Sequence, residues 1–219
     1  MSINYSVCAE VVDIRTDSPA STDAFFVDTN VWFWQTYSKA SQADIPPALY
    51  QITEYPNYIK KALSSKSTLH WCGLNFAELA HLIEKTELEI YRRSQRSQQI
   101  SSKQFRHNLP TERQNVVSEI ESVCLQLNLL AKPLPTDMDS SFPLSMLTKI
   151  QKQPLDGYDV IMVDSINRTG VINIITDDGD YACVPGIRIF TANHNVIQKA
   201  RAGGSLITRS AASTSSTAS

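Results

Sequence analysis

Two apolar segments of this sequence each stop abruptly at aspartate. Residues 25–27 lead into Asp28, and residues 171–176 lead into a turn that holds three aspartates in four positions. A short apolar run bounded by turn residues is typical of a strand buried on both faces, as in a parallel sheet. Parallel strands place their carboxyl ends at one edge of the sheet, where ligands bind in open α/β folds. The sequence therefore predicts a crevice with at least three carboxylates, although each aspartate could instead turn the chain or cap the next helix.

Predicted strands alternate with predicted helices along most of the chain. The strands are short, apolar and bounded by turn residues, and they cover residues 24–27, 68–71, 171–176 and 187–191. This alternation favours a parallel sheet covered by helices on both faces. We therefore predict an α/β fold, a three-layer α/β/α sandwich with a mostly parallel central sheet. A helical insertion is expected over about residues 85–150.

The 219 residues fit one domain with an insertion. We place this domain at residues 24–202. Residues 1–23 are interpreted as an N-terminal extension with one ambiguous edge strand. Residues 203–219 are predicted to form a flexible tail, because the chain from 209 onward is rich in Ser, Thr and Ala.

The four cysteines are scattered and lack the spacing of a zinc site or a disulfide framework. A reducing cytosol is the expected environment. The N-terminus lacks a basic segment followed by an apolar one, so no signal peptide is expected. No apolar stretch approaches the roughly 18 residues that a membrane span requires. These observations predict a soluble cytoplasmic protein.

Two further acids begin predicted helices. Glu78 follows Asn75 by three residues, which is also the spacing of a capping box. Asp159 opens a later helix, where the helix dipole alone would favour an acid. Asp164 lies five residues further, about 140° around that helix, and we expect it to point elsewhere.

These acids occur in an order that resembles the PIN-domain nucleases. Val27-Asp28-Thr29-Asn30 follows the first confident strand, Glu78 follows the second strand, and Asp159 opens a late helix. Residues 176–181, Thr-Asp-Asp-Gly-Asp-Tyr, match the family pattern Thr-x-Asp-x-Asp-aromatic. The resemblance covers residues 24 to about 200 and points to a VapC-like ribonuclease fold with a lengthened helical insertion.

The resemblance implies a carboxylate site for one or two Mg²⁺ or Mn²⁺ ions. Two carboxylates about 5 Å apart repel by about 3 kcal/mol at an effective dielectric near 20, so clustered acids require a cation. The implied catalytic residues are Asp28, Glu78, Asp159 and Asp178. The same four and Asp180 would bind the metal, while Thr29, Asn30 and Thr176 would orient these ligands or their bound waters, unless they only cap helices and form turns.

A basic segment accompanies the acids. The chain has a net charge of −2, but residues 91–113 contain six basic residues against one acid. This asymmetry favours a positive docking surface beside a negative site, although a solvated helix face would look the same. The residues expected to hold RNA phosphates are Arg92, Arg93, Arg96, Lys103 and Arg106.

Together these features predict a metal-dependent endoribonuclease that hydrolyses RNA phosphodiester bonds. A catalytically inactive PIN-like module that binds RNA or protein, and a DNA-directed nuclease, are the alternatives. The resemblance also raises an antitoxin-like inhibitor and a homodimer as candidate partners. However, the interval of 81 residues between Glu78 and Asp159 exceeds that of the compact toxin-type members.

Overall fold

A computed structural model describes residues 3–95, 99–136 and 140–209. Within these residues seven strands form one sheet in which every pair is parallel. The strands are β1 (Glu10–Asp13), β2 (Ala24–Val27), β3 (Thr68–Cys72), β4 (Lys132–Leu134), β5 (Asn173–Ile175), β6 (Arg188–Thr191) and β7 (Leu206–Ile207). Their order across the sheet is β4-β3-β2-β5-β6-β1-β7. The predicted parallel sheet is confirmed.

Eight α-helices connect and cover these strands in the described part of the chain. They are α1 (Thr29–Thr36), α2 (Leu49–Ser64), α3 (Gly73–Gln95), α4 (Ser102–Asn108), α5 (Pro110–Leu130), α6 (Phe142–Lys152), α7 (Gly157–Thr169) and α8 (His194–Gly203). Two short 3₁₀ helices cover Ala40–Gln42 and Asp180–Cys183. None of the helices found in these residues is long and apolar enough to cross a bilayer.

Alternate residues of the central strands enter two separate cores. Phe26 and Ile174 pack on one face of the sheet with α7 and α8. Phe25 and Ile175 pack on the other face with α1, α2, α3 and α5. Because successive strand residues point to opposite faces, each apolar strand serves both cores. The result is the three-layer α/β/α sandwich that the sequence predicts.

The two strands that precede the acids are neighbours in the centre of the sheet. Val27 of β2 pairs with Ile175 of β5. The next residue, Asp28, donates its backbone N–H to the Ile175 carbonyl at 3.0 Å. This register brings Asp28 and Thr176 to the same carboxyl edge of the sheet.

Residues 1–23 belong to the sheet, which corrects their interpretation as an extension outside the domain. β1 pairs with β6 on one side and with β7 on the other, so it is not an edge strand. The predicted domain boundary at residue 24 is therefore wrong. The pairing partners of β1 in β6 and β7 lie 178 and 195 residues away, and no local pattern reports such a contact.

The segment predicted as a flexible tail from residue 203 begins with ordered structure. β7 follows α8 and pairs with β1, and the Ser205 carbonyl accepts a hydrogen bond from Val11 N–H at 2.9 Å. Arg209 then forms ion pairs with Asp17 and Asp23. The tail was predicted from the Ser/Thr/Ala composition of the segment. A two-residue strand and one arginine change that composition too little to be noticed. Residues 210–219 lie outside the described part of the chain.

The predicted helical insertion over residues 85–150 also contributes a strand. α3 runs without a break through residue 85, and α4 and α5 follow it. β4 then pairs with β3 at the edge of the sheet. The sequence analysis missed β4 because it contains Pro133, and proline is confined to edge positions of sheets.

Candidate metal centre

Asp28 is buried at the end of β2, and both of its carboxylate oxygens are engaged. Oδ1 accepts the Thr29 N–H at 2.7 Å, and Oδ2 accepts the Thr176 hydroxyl at 2.8 Å. Burial, together with the nearby Asp178 carboxylate, raises the pKa of Asp28 to about 7. Asp28 is also the N-cap residue of α1. Asp28 therefore caps α1 and lies in the acidic site at the same time, so the two interpretations of this residue are compatible.

Thr176 links Asp28 to the acidic turn after β5. Its hydroxyl oxygen accepts the Asp178 N–H at 2.9 Å while the hydroxyl donates to Asp28. Asp178 Oδ1 in turn accepts the Asp180 N–H at 2.9 Å. Backbone and side-chain hydrogen bonds thus fix the turn and the orientation of its carboxylates.

Three carboxylates form a group that could hold a metal ion. One oxygen each from Asp159, Asp178 and Asp180 lies within 4.8 Å of the other two. Burial raises the pKa of all three, and for Asp159, with added repulsion from Asp28 and Asp156, the pKa rises to about 8. The structure therefore brings together acids from α7 and from the turn after β5.

Tyr181 supports this group from inside the protein. Its ring is fully buried, and its hydroxyl makes a side-chain hydrogen bond with Asp159. Met162 Sδ lies 3.4 Å from the same hydroxyl oxygen. The hydrogen bond lets Tyr181 position Asp159. Because its ring is inaccessible, Tyr181 is not available to stack on a ligand.

Glu78 reaches the same cavity from α3. Its Oε2 accepts the Thr29 hydroxyl at 2.5 Å, and burial raises its pKa. Asn75 lies buried in the first turn of α3, where its Oδ1 accepts the Cys72 N–H at 2.8 Å and its Nδ2 donates to Thr29 Oγ1 at 3.0 Å. Glu78 thus accepts a hydrogen bond from Thr29 rather than capping the helix. The predicted N-cap at Asn75 is wrong, because α3 begins two residues earlier, at Gly73.

Asp156 is a further acid of the site that the sequence analysis missed. It is the N-cap residue of α7, and its Oδ1 accepts the N–H groups of Tyr158 and Asp159 at 2.8 and 2.9 Å. Its charge contributes to the raised pKa values of Asp159 and Asp178. An aspartate just before a helix is a recognised N-cap signal, but only the folded chain shows that this cap also faces the other acids.

These acids line a cavity of about 390 Å³ at the carboxyl edge of the sheet. Its carboxylate lining consists of Asp28, Glu78, Asp156, Asp159 and Asp178. Among the described residues, no ion pair connects any of these five, or Asp180, to Lys, Arg or His. The cavity lining is therefore mainly carboxylate, and His81, whose charge lowers the pKa of Glu78, is the basic residue among the lining residues. This donor set fits Mg²⁺ or Mn²⁺, which prefer oxygen ligands.

Of the three residues expected to orient the metal ligands, two contact those ligands in the structure and one does not. Thr29 and Thr176 hold Glu78 and Asp28 through hydroxyl hydrogen bonds. Asn30 is exposed and borders the cavity, and its side chain forms no hydrogen bond with another described residue. The predicted orienting role thus has contacts in the structure for the two threonines only.

Two neighbouring aspartates point away from the group. Asp177 accepts hydrogen bonds from three α2 side chains, which tie this helix to the acidic turn: Tyr50, Gln51 and Tyr55. Asp164 pairs with Arg168 at 2.7 Å and with Lys149. The expectation that Asp164 faces away from Asp159 is confirmed.

The N-terminal segment also borders the acidic turn. The ring of Tyr5 lies so close to Gly179 that a Cβ at this position would lie 2.2 Å from Tyr5 Cζ. Burial and the charges of Asp178 and Asp180 raise the pKa of Tyr5. Only glycine permits this approach, and the contact places residues that precede β1 directly beside the site.

Most of the predicted RNA-binding side chains have partners within the protein. Arg92 pairs with Glu89 at 2.5 Å, and Arg106 pairs with Glu84. Arg93 donates to the backbone carbonyls of Gln42 and Glu89. Lys103 is exposed and forms no ion pair with a described residue. Arg96 lies outside the described residues.

The local charge of residues 91–113 is therefore partly balanced by acids that precede this window. Glu84 also pairs with Arg113 at 3.1 Å. Arg92 and Arg106 nevertheless line a cavity of about 310 Å³. His81 lines both this cavity and the acidic one, so the two lie side by side.

Comparison with known proteins assigns no family to the chain. No model of a known protein family matches it, and no curated protein matches it either. The resemblance to PIN-domain nucleases therefore stays a prediction that depends on the acidic motifs.

Proposed function

We propose that this chain is a metal-dependent ribonuclease that hydrolyses phosphodiester bonds at its acidic cavity. The observation that carries the proposal is the group formed by Asp159, Asp178 and Asp180, whose oxygens lie within 4.8 Å of one another. Asp28, Glu78 and Asp156 add further carboxylates to the adjoining cavity. Such a concentration of acids without basic partners is explained by a divalent cation.

The raised pKa values support a cation site. The pKa values of Asp28 and Asp159 are about 7 and about 8, so near neutral pH these carboxyls share the site with protons. A divalent cation would replace those protons and offset the repulsion among the carboxylates. Bound there, it would lower the pKa of a water nucleophile and polarise the phosphoryl oxygen.

The protein residues would supply orientation. Thr176 holds Asp28, Thr29 holds Glu78, and Tyr181 holds Asp159. Because these contacts form on folding, the carboxylates need little reorganisation when a phosphodiester binds. Preorganised polar groups of this kind are a major source of transition-state stabilisation in enzymes.

RNA is the proposed substrate because the motif resemblance implies it and because basic side chains lie near the acids. His81, Arg92 and Arg106 border the cavity next to the acidic one. Phosphates on either side of the cleaved bond could contact this surface and exposed Lys103 without any base being read. Arg93 and Arg96 remain candidates for the same role.

The test compares two aspartates of the same helix. Labelled RNAs are incubated with wild-type protein and either Mn²⁺ or Mg²⁺, with EDTA as the metal-free reference. Asp159→Asn should abolish cleavage, whereas Asp164→Asn should retain it, because Asp164 pairs with Arg168 outside the cavity. Folded wild-type protein that cleaves no RNA with either metal would refute the proposal, and cleavage of DNA alone would reassign the substrate.

Metal binding can be measured separately from cleavage. A ligand that binds only the native state stabilises it by about 2.7 kcal/mol at a concentration 100 times its Kd. Mn²⁺ should therefore raise the melting temperature of the wild type and of Asp164→Asn, but raise that of Asp178→Asn far less. Equal shifts in all three proteins would place the metal elsewhere.

A further inference from the structure

A second cavity opens directly beside the acidic one. Its volume is about 380 Å³, within the range of small-molecule sites. Asn30, Leu82 and Asp178 line both cavities. A ligand whose reacting group lies at the acids would therefore extend into this second space.

Part of the lining of the second cavity is apolar, which a metal site does not need. Phe33 and Trp34 of α1 form part of the lining, and a loop contributes Ile45, Pro46 and Pro47. Ile45 is 84% exposed, so its side chain is accessible to a bound ligand. This surface is suited to the face of a planar ring.

The aromatic side chains of this wall are held in place. The Trp34 ring packs on Tyr55 with centroids 5.4 Å apart, and the Phe33 ring packs on Tyr37 at 5.2 Å. Tyr55 also donates its hydroxyl to Asp177 at 2.7 Å, which connects this packing to the acidic turn. A ring that binds here would meet a surface already fixed by the fold.

Both acidic residues and one lysine line the cavity, so a neutral ring and a phosphate are expected to bind at different parts of it. Asp44, Asp177 and Asp178 line it, so an anionic group is disfavoured on that side. Lys85 lines this cavity and also the one with Arg92 and Arg106. Within the described residues Lys85 forms no ion pair, so its ammonium group can receive a phosphate.

We propose that this second cavity is a subsite for one nucleobase of the substrate strand. The base stacks against Trp34, and a phosphate of the same nucleotide lies at Lys85. The assignment rests on the proposed nuclease function, because the occupied nucleotide would be a neighbour of the cleaved bond. Stacking on an aromatic side chain tolerates any base, so the subsite contributes affinity and position rather than sequence recognition.

The first test measures binding without cleavage. Adenosine and uridine 5′-monophosphates are titrated into the full chain in EDTA, with ribose 5-phosphate as the probe that lacks a base. Both nucleotides should bind at least tenfold more tightly than ribose 5-phosphate, and Trp34→Leu should remove this difference. Lys85→Gln should weaken all three probes, whereas Lys61→Gln, on the exposed end of α2, should not.

The second test uses cleavage. An RNA with one abasic nucleotide at each successive position is cleaved by the wild type with Mn²⁺. One position at a fixed distance from the cleaved bond should lower kcat/KM by about tenfold or more, within the range for one stacked base. Ile45→Asp, which changes an exposed side chain and leaves the core intact, should remove this positional effect.

The two tests separate the failure of the subsite from the failure of the nuclease. Base-dependent nucleotide binding that Trp34→Leu abolishes, without any RNA cleavage, would support the subsite and refute the nuclease. Cleavage with equal abasic effects at every position, together with equal binding of ribose 5-phosphate and the nucleotides, would overturn the subsite alone. If Trp34→Leu does not fold, Ile45→Asp is used in both tests.

Discussion

The Thr176 hydroxyl donates a hydrogen bond to Asp28 Oδ2 at 2.8 Å, across 148 residues of sequence. Both side chains are buried, with exposed fractions of 0% and 4%. The bond joins the ends of β2 and β5, the two central strands whose apolar sequences stop at the acids. It therefore couples the register of the sheet to the orientation of a proposed metal ligand.

Replacing Thr176 with valine should destabilise the protein and impair the site. The change keeps the shape of the side chain but leaves a buried oxygen of Asp28 without its donor, at a cost of about 1–3 kcal/mol. It should also raise the pKa of Asp28 further, since the hydroxyl now lowers it. Urea unfolding measures the free energy, and Thr148→Val on the exposed face of α6 is the control. Equal losses in both variants would contradict the coupling.

The metal-free protein should lose stability as pH rises from about 4 to about 8. Asp28 and Asp159 have an ordinary pKa of 3.8, and the fold raises their pKa values to about 7 and about 8. Between these limits the native state binds more protons than the unfolded state, so the free energy of unfolding falls with increasing pH.

Urea unfolding in EDTA at several pH values measures this dependence. Asp159→Asn should flatten the curve over the upper part of the range, and Asp164→Asn should leave it as steep as in the wild type. A wild-type stability that rises between pH 5 and pH 8 in EDTA would show that the acids are not held in the protonated form.

Removing the charge of Glu84 should strengthen RNA binding. Glu84 pairs with Arg106 and Arg113, and Glu84→Gln would release both arginines for contact with phosphates. Each added phosphate contact steepens the dependence of log K on log salt by about 0.7 for a single strand. Binding is measured in the Asp159→Asn background, where cleavage should not occur.

Glu121→Gln is the matched control, because this exposed glutamate on α5 forms no ion pair among the described residues. The five cations named from the sequence would together produce a slope of about −3.5. The existing ion pairs predict a shallower slope for the parent protein and a steeper one for Glu84→Gln. Identical slopes in the two proteins would exclude the basic surface from RNA binding.

Arg209 should be essential for stability although it lies in the segment expected to be flexible. Its guanidinium donates to both oxygens of Asp17, at 2.8 and 2.6 Å, and lies over the Phe190 ring. Arg209→Ala would leave the buried Asp17 carboxylate without its cation, which costs about 3–5 kcal/mol at buried pairs.

The comparison variant for Arg209→Ala is Arg15→Ala, whose partner Asp13 is only two residues away in an exposed pair. Thermal or urea unfolding should show a large loss for Arg209→Ala and less than about 1 kcal/mol for Arg15→Ala. A loss of similar size in both would mean that the Arg209 contacts do not anchor the end of the chain.

Much of the central fold follows from local sequence. β2 was predicted with the bounds that the structure shows, since four apolar residues end at an aspartate. Alternating strands and helices also predicted the parallel sheet and the edge at which Asp28 and Asp178 lie, whereas Asp159 was included only because of the resemblance. These predictions succeed because burial pattern and turn chemistry act over a few residues.

Contacts between distant segments depended on the tertiary structure alone. β1 lies inside the sheet because β6 and β7 pair with it, and Arg106 pairs with Glu84, which lies 22 residues earlier in the chain. Asp156 is recognisable from the sequence as a helix cap, but only the folded chain places it in the cavity lining.

Local sequence specifies which acids end the central strands and that these strands run parallel. Which charges remain unbalanced depends on the folded chain, because an ion pair forms where two side chains meet and does not follow from the composition of either segment. Among the described residues, the acids of the cavity form no ion pairs, whereas much of the basic segment does. This difference, rather than the net charge of −2, supports the proposed cation site.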